Sequence, residues 1–193
     1  MTPTLDDPLV VVRALTSAFT HFSISYFVVG SVASGVRGEF RATNDIDIVC
    51  RLDPSTGRKL TDVLKEEFFV DLVDVSECIR NGSSFNVVHR QSAFKVDVFT
   101  RIGPLEEAEF ARFTPPLQIS EGVTVHIASA EYLVLAKLRW WDMSNGVLDR
   151  QMRDARSVVS ANRDTLDVNF LKHWGSQLGT NVNTKLLEIL TEQ

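Results

Sequence analysis

Residues 45–48 read Asp-Ile-Asp-Ile and run on into Val49 and Cys50. Strict alternation with β-branched residues is the signature of a strand, in which neighbouring side chains face opposite ways. Ile46 and Ile48 then enter a core, and Asp45 and Asp47 point together to the other face. Two parallel carboxylates repel, and holding them adjacent raises the proton affinity of one unless a cation neutralises them. A divalent metal is the economical reason for the pattern. Magnesium suits oxygen ligands of this kind and usually keeps waters and substrate phosphates in its shell, so a phosphate-bearing partner is expected close by.

The segment upstream offers a place for it. Residues 25–29, SYFVV, are aromatic and β-branched and are stopped by Gly30, which predicts a strand followed by a short helix over 31–38. A strand that ends in glycine and turns into a helix through Ser31 exposes backbone N–H groups and a hydroxyl at a positive helix end, where an anion is welcome. The P-loop pattern does not fit, because Val36 and Arg37 stand where lysine and Ser/Thr are required. The dinucleotide fingerprint fails as well, since Val32 takes the place of its second glycine. A third acid lies in FKVDVFT, where Asp97 sits between Val96 and Val98 and faces away from both. A carboxylate on a buried strand needs a reason, and a salt bridge to Lys95 on the same face is the alternative to a metal.

At 193 residues and 44% hydrophobic, the chain can bury one substantial core, with or without a smaller appendage. Asp7 and Pro8 start a helix over 8–21, with an apolar stripe of Leu9, Val12, Leu15, Ala18, Phe19 and Phe22. A strand over 46–51 precedes a helix capped at Asp53 and Pro54 and carrying Leu60, Val63, Leu64 and Phe68. Further on come a short helix over 75–80 stopped by Asn81 and Gly82, and a hairpin of FNVVHR and FKVDVFT about Gln91 and Ser92. A helix over 104–113 and two extended pieces, near 117 and at 123–127, lead to Ser129, which caps a helix over 130–142 with Glu131 in its first turn. Helices over 148–160, 166–178 and 183–191 complete the chain. The expected fold is α/β (α+β), a mixed central sheet flanked by helices, with 1–128 as the core and 129–193 as a helical region packed on it.

Twenty basic against 25 acidic residues give a net charge of -5, which disfavours broad charge-driven binding to nucleic acid or anionic membrane and leaves room for a local basic pocket. Cys50 and Cys78 read as thiols in a reducing compartment. Acids stand near the N-terminus where a signal peptide would be positive, and no apolar run spans a bilayer, so the expected location is cytoplasmic.

Gly30, Ser31, Asp45, Asp47 and Asp97 together occupy the motif positions of the nucleotidyltransferase superfamily that includes DNA polymerase beta, and in this the sequence resembles that family. More narrowly, RATNDIDIV, SSFNVVHRQSAFKVDVF and the run from KLRWW to RQMRDAR are similar to small prokaryotic enzymes related to abortive-infection type II nucleotidyltransferase toxins, over about residues 25–160. The resemblance implies the nucleotidyltransferase fold and transfer of an NMP from an NTP to a hydroxyl, with release of pyrophosphate. It implies that Asp45 and Asp47 hold Mg²⁺ against the triphosphate, with Gly30 and Ser31 at the terminal phosphates. Asp97 would complete a second metal site or accept the proton of the attacking hydroxyl. An RNA end, a protein side chain and a small molecule are the acceptors it leaves open, and a toxin–antitoxin partner is implied too.

The same resemblance sets Lys137 near the triphosphate, against the alternative of a solvated lysine on a polar helix face. Arg153 and Asp154 match an Arg-Asp pair of these relatives, but Ser157 stands where a further aspartate often occurs, which leaves Asp154 open to a helix-packing salt bridge. Arg41 and Thr43 precede the acids as in the family. Trp140 and Trp141 read as core and interface surface rather than a base-stacking platform. Lys137, Arg139, Arg150, Arg153 and Arg156 gather basic charge that suits an RNA end, unless Glu131, Asp142, Asp149 and Asp154 pair with it. Two other functions compete: a non-catalytic, antitoxin-like or regulatory nucleotide-binding protein, and a nucleotide-sugar glycosyltransferase using Asp45 and Asp47. The second leaves Gly30, Ser31 and Asp97 unexplained.

Overall fold

The computed structural model describes residues 8–39, 45–112 and 115–192. Asp7, Arg41 and Thr43 lie outside them. In chain order the elements are α1 (Pro8–His21), β1 (Tyr26–Val29), α2 (Gly30–Arg37), β2 (Asp45–Cys50), α3 (Pro54–Leu64), β3 (Phe68–Phe69), α4 (Leu72–Asn81), β4 (Ser84–His89) and β5 (Lys95–Phe99). They continue with α5 (Pro104–Ala111), β6 (Leu117–Ser120), β7 (Val123–Val125), α6 (Ala130–Met143), α7 (Asp149–Asn162), α8 (Val168–Leu178) and α9 (Thr180–Thr191). These elements fall into two compact units, Met1–Val28 with Thr43–Ile127, and Val29–Ala42 with Ala128–Gln193.

The first unit is built on a five-stranded sheet in the order β1-β2-β5-β4-β3. β2 and β5 run parallel, while β4 pairs antiparallel with both β5 and β3, so the sheet is mixed. The Arg51 N–H donates to the Ser25 carbonyl at 2.9 Å, which sets the start of β1 beside the end of β2 and makes these strands antiparallel. One face of the sheet is apolar: Ile46, Ile48, Val96, Val98, Phe85 and Val87 are all buried. α1 packs on α3 and β7 through a buried stripe of Val11, Leu15, Ala18 and Phe19. Val12, expected on that stripe, is half-buried, because the true stripe passes through Val11.

α9 begins at Thr180 rather than 183, and α3 and α4 also differ from the sequence expectation. α3 ends at Leu64, and Phe68 forms β3, where it pairs with His89 at the edge of the sheet. Its apolar spacing from Leu64 imitates a helix, but the exposed turn of Lys65, Glu66 and Glu67 interrupts it. α4 begins at Leu72 rather than 75, since Asp71 caps it by accepting the Val73 and Asp74 N–H groups at 2.7 and 3.2 Å. Its stop is as expected, with Gly82 in the left-handed conformation at φ 58°.

The second unit is helical. α6 packs on α7, α8, α9 and α2, burying Leu133, Leu135, Leu138, Val158, Val159, Leu171, Leu186 and Ile189. The Ser129 Oγ accepts the Tyr132 N–H at 3.1 Å and starts α6. Glu131 is buried in the first turn, and its Oε1 also accepts the Asp167 N–H at 2.7 Å just ahead of α8. Among the described residues no helix is long and apolar enough to cross a membrane. Cys50 and Cys78 are free thiols, and complete burial pushes the Cys50 thiol up to about 12.

Candidate active site

The parallel register of β2 and β5 sets Asp45 against Lys95 and Asp47 against Asp97. Laterally paired residues on adjacent strands project from the same face, about 4.8 Å apart, while i and i+2 share a face along each strand. Three acids and one ammonium therefore form a two-by-two group on the face opposite the apolar core. Asp45, Asp47 and Asp97 are all partly exposed, whereas Ile46, Ile48, Val96 and Val98 between them are buried. This is the alternation that the sequence predicts, and the sheet adds the lateral pairing that brings residues fifty positions apart together.

Lys95 Nζ lies 2.7 Å from Asp97 Oδ2. The hydrogen bond to Asp97 raises the lysine pKa above its ordinary value and outweighs the opposing penalty for burial, and the charges of Asp97, Asp45 and Asp47 add lesser pushes in the same direction. All three carboxylates thus act on one cation. Asn86 pairs laterally with Asp97 from β4 and is exposed, so it extends the polar row. Sequence reading passed over Asn86, although its place in the hairpin register could have identified it.

Asp45 and Asp47 offer hard oxygen donors, which fit a magnesium-like ion and not a thiolate-seeking metal. Among the described residues, no three His, Cys, Asp or Glu side chains are gathered to hold a metal. Lys95 engages Asp97. The donor set therefore fits a cation at the Asp45 and Asp47 pair, with Lys95 standing on the third carboxylate.

Gly30, Ser31 and Lys137 belong to the second unit. Gly30 takes φ 68°, a conformation glycine adopts without strain, at the step from β1 into α2. Val29, the residue before α2, gives no side-chain cap. Ser31 is half-buried in the first turn of α2, and the Ser34 Oγ donates to the Gly30 carbonyl at 2.8 Å.

Lys137 is not the solvated lysine of the simpler alternative. Its Nζ donates to Asp154 Oδ2 at 2.7 Å between α6 and α7, with both side chains largely buried. Ser157, in the place of the missing aspartate, accepts the Glu39 N–H on its Oγ at 2.6 Å. Arg156 is paired with Glu192, its Nε 2.9 Å from Oε2. Of the five basic residues in the expected patch, two are thus held by acids of the same unit, while Arg150 and Arg153 are exposed on α7. Trp140 is half-exposed.

No family model and no curated protein matches the chain. Solved structures do. An antigenic nucleotidyltransferase-like protein from Paracoccidioides brasiliensis superposes with a TM-score of 0.57 at 16% identity, covering 93% of this chain and 91% of that one. The antibiotic-resistance factor ANT(2'')-Ia in solution superposes with a TM-score of 0.53 at 11% identity, over 94% of this chain and 90% of its own. The same factor in complex with adenylyl-2"-tobramycin gives 0.52 at 12% identity, over 94% and 96%. The mixed five-stranded sheet with its helices and helical C-terminal part is a nucleotidyltransferase fold.

Proposed function

We propose, with the nucleotidyltransferase fold as premise, that this protein is a metal-dependent nucleotidyltransferase that moves an NMP from an NTP to a hydroxyl acceptor. The observation that carries the reading is the face shared by Asp45, Asp47 and Asp97, whose combined field already acts on the Lys95 ammonium. Asp45 and Asp47 would hold Mg²⁺, which when bound offsets the triphosphate charge and polarises the α-phosphate. Gly30 and Ser31, directly after β1, would receive the terminal phosphates on the N–H groups and hydroxyl at the start of α2. Lys137 would add charge there once Asp154 shares it. Asp97 would take the proton of the acceptor hydroxyl. That oxygen then bonds to the α-phosphorus, the bond to the bridging oxygen breaks, and pyrophosphate leaves in line.

A small hydroxylated acceptor is favoured by the ANT(2'')-Ia neighbour, which was solved with adenylyl-2"-tobramycin. An RNA end keeps the support of Arg150 and Arg153 on α7, but Lys137 and Arg156 are engaged elsewhere. A protein side chain has no structural feature in its favour. The toxin kinship, with its antitoxin partner, is supported by the three similar sequence stretches alone. Three intact aspartates argue against a non-catalytic binding protein, and Asp97 with Gly30 argues against a glycosyltransferase.

The test is to incubate the protein with α-phosphate-labelled NTPs, Mg²⁺ and cell extract, and then to sort the label. Label in the small-molecule fraction is the expected result. Label in RNA that falls on charge reversal of Arg150 and Arg153 would move the assignment to RNA. A protein that labels nothing in any fraction contradicts the transferase reading.

A further inference from the structure

Asp97 is offered as a ligand or base, yet one of its oxygens is already taken. Lys95 Nζ stands 2.7 Å from Oδ2, and the Asp97 side chain is only 18% exposed. Lys95 is also the lateral partner of Asp45, on the face that carries Asp47. A divalent cation drawn to these acids meets a positive charge already seated among them. We infer that Lys95 is a resident counter-cation on the carboxylate face, neutralising Asp97 in the metal-free protein and yielding it when a divalent ion binds. The inference deepens the proposed function and rests on its metal assignment.

The geometry suits an exchange. The Lys95 side chain is 42% exposed and its four-carbon stem is flexible, so the ammonium can leave Asp97 for solvent without disturbing the apolar face. Without Lys95 the Asp97 carboxylate, whose side chain is 18% exposed, would lose the cation that neutralises it, which costs stability when metal is absent. The same residue therefore has opposite effects in the two states: it supports the metal-free fold and weakens metal binding.

The experiment measures Mn²⁺ binding to the full chain by electron paramagnetic resonance, and melting temperature with and without Mn²⁺, for wild type, Lys95→Gln and Lys95→Arg. Lys95→Gln is expected to bind Mn²⁺ on the order of tenfold more tightly, the effect of removing one competing charge. It should melt lower than wild type without metal and gain more on adding Mn²⁺. Lys95→Arg keeps the charge and should stay near wild type in both measurements. Equal Mn²⁺ affinity in wild type and Lys95→Gln overturns the inference and leaves the metal assignment standing. Absence of Mn²⁺ binding in all three proteins overturns both.

Discussion

Lys137 reaches across from α6 to Asp154 on α7, 2.7 Å from nitrogen to oxygen, with 7% of one side chain and 14% of the other exposed. A pair so withdrawn from water is costly to break from one side, because the remaining charge stays buried. Lys137→Met should destabilise the protein by about 3–5 kcal/mol, and Lys137→Met with Asp154→Leu should recover most of the loss. Urea unfolding of the three proteins checks this, and a single variant as stable as wild type would show the pair to be dispensable for the fold.

Ser31 lies in the first turn of α2, behind a glycine whose φ of 68° lets β1 turn directly into the helix. If its hydroxyl meets a phosphate, Ser31→Ala should weaken NTP binding by roughly 1–3 kcal/mol, the range for a hydrogen bond to a charged group. Titration calorimetry with Mg²⁺ measures it, and unchanged affinity would remove Ser31 from the phosphate site.

The two cysteines should differ in reactivity. Cys50 is fully buried on β2 with its thiol pushed up to about 12, so almost no thiolate exists near neutrality, while Cys78 on α4 is partly exposed. A thiol reagent at pH 8 should label Cys78 in the native protein and both residues after denaturation. Equal native labelling would mean that β2 opens readily.

The Thr56 hydroxyl donates to Asp53 Oδ2 at 2.6 Å ahead of α3, and this bond, with those from the Thr56 and Ser55 N–H groups at 3.0 and 2.8 Å, holds the Asp53 carboxyl below its ordinary value. A lowered native pKa adds stability above the unfolded value, near 3.9, and loses it as pH falls through the native one. Asp53→Ala should therefore melt below wild type at neutral pH, and the gap should close in the acid range below about pH 4. A gap that persists there would assign the effect to packing instead.

Elements fixed by local chemistry were legible in the sequence. The alternation of residues 45–50 and 94–100, the glycine stop at residue 30 and the serine cap at 129 each match β2, β5, α2 and α6. Phe68 was misread because a helical spacing from Leu64 cannot reveal that its backbone pairs with His89. Neither Gln91 nor Ser92 is an ideal turn former, and the hairpin closes with Ala93 at φ 56° and the Ser92 Oγ bonded to the His89 ring at 2.8 Å. At the site, the direction of each aspartate followed from strand parity. The lateral match of Asp47 with Asp97 did not, because register depends on the order β2-β5, which no local pattern encodes. The burial of Lys137 was hidden for a similar reason, since its partner comes from the next helix.

The central claim is that Asp45 and Asp47 hold the cation on which transfer depends, and pyrophosphate release tests it most directly. Wild type, Asp45→Asn and Asp47→Asn should be given each NTP with a hydroxylated acceptor pool, with and without Mg²⁺. The amide keeps the shape and loses the charge, so both variants should stay folded and melt at or above the wild-type temperature without metal. The account predicts Mg²⁺-dependent pyrophosphate release by wild type and a loss of at least about a hundredfold in each variant, the scale of removing a charge that stabilises the transition state. Near-wild-type release by either folded variant would contradict it.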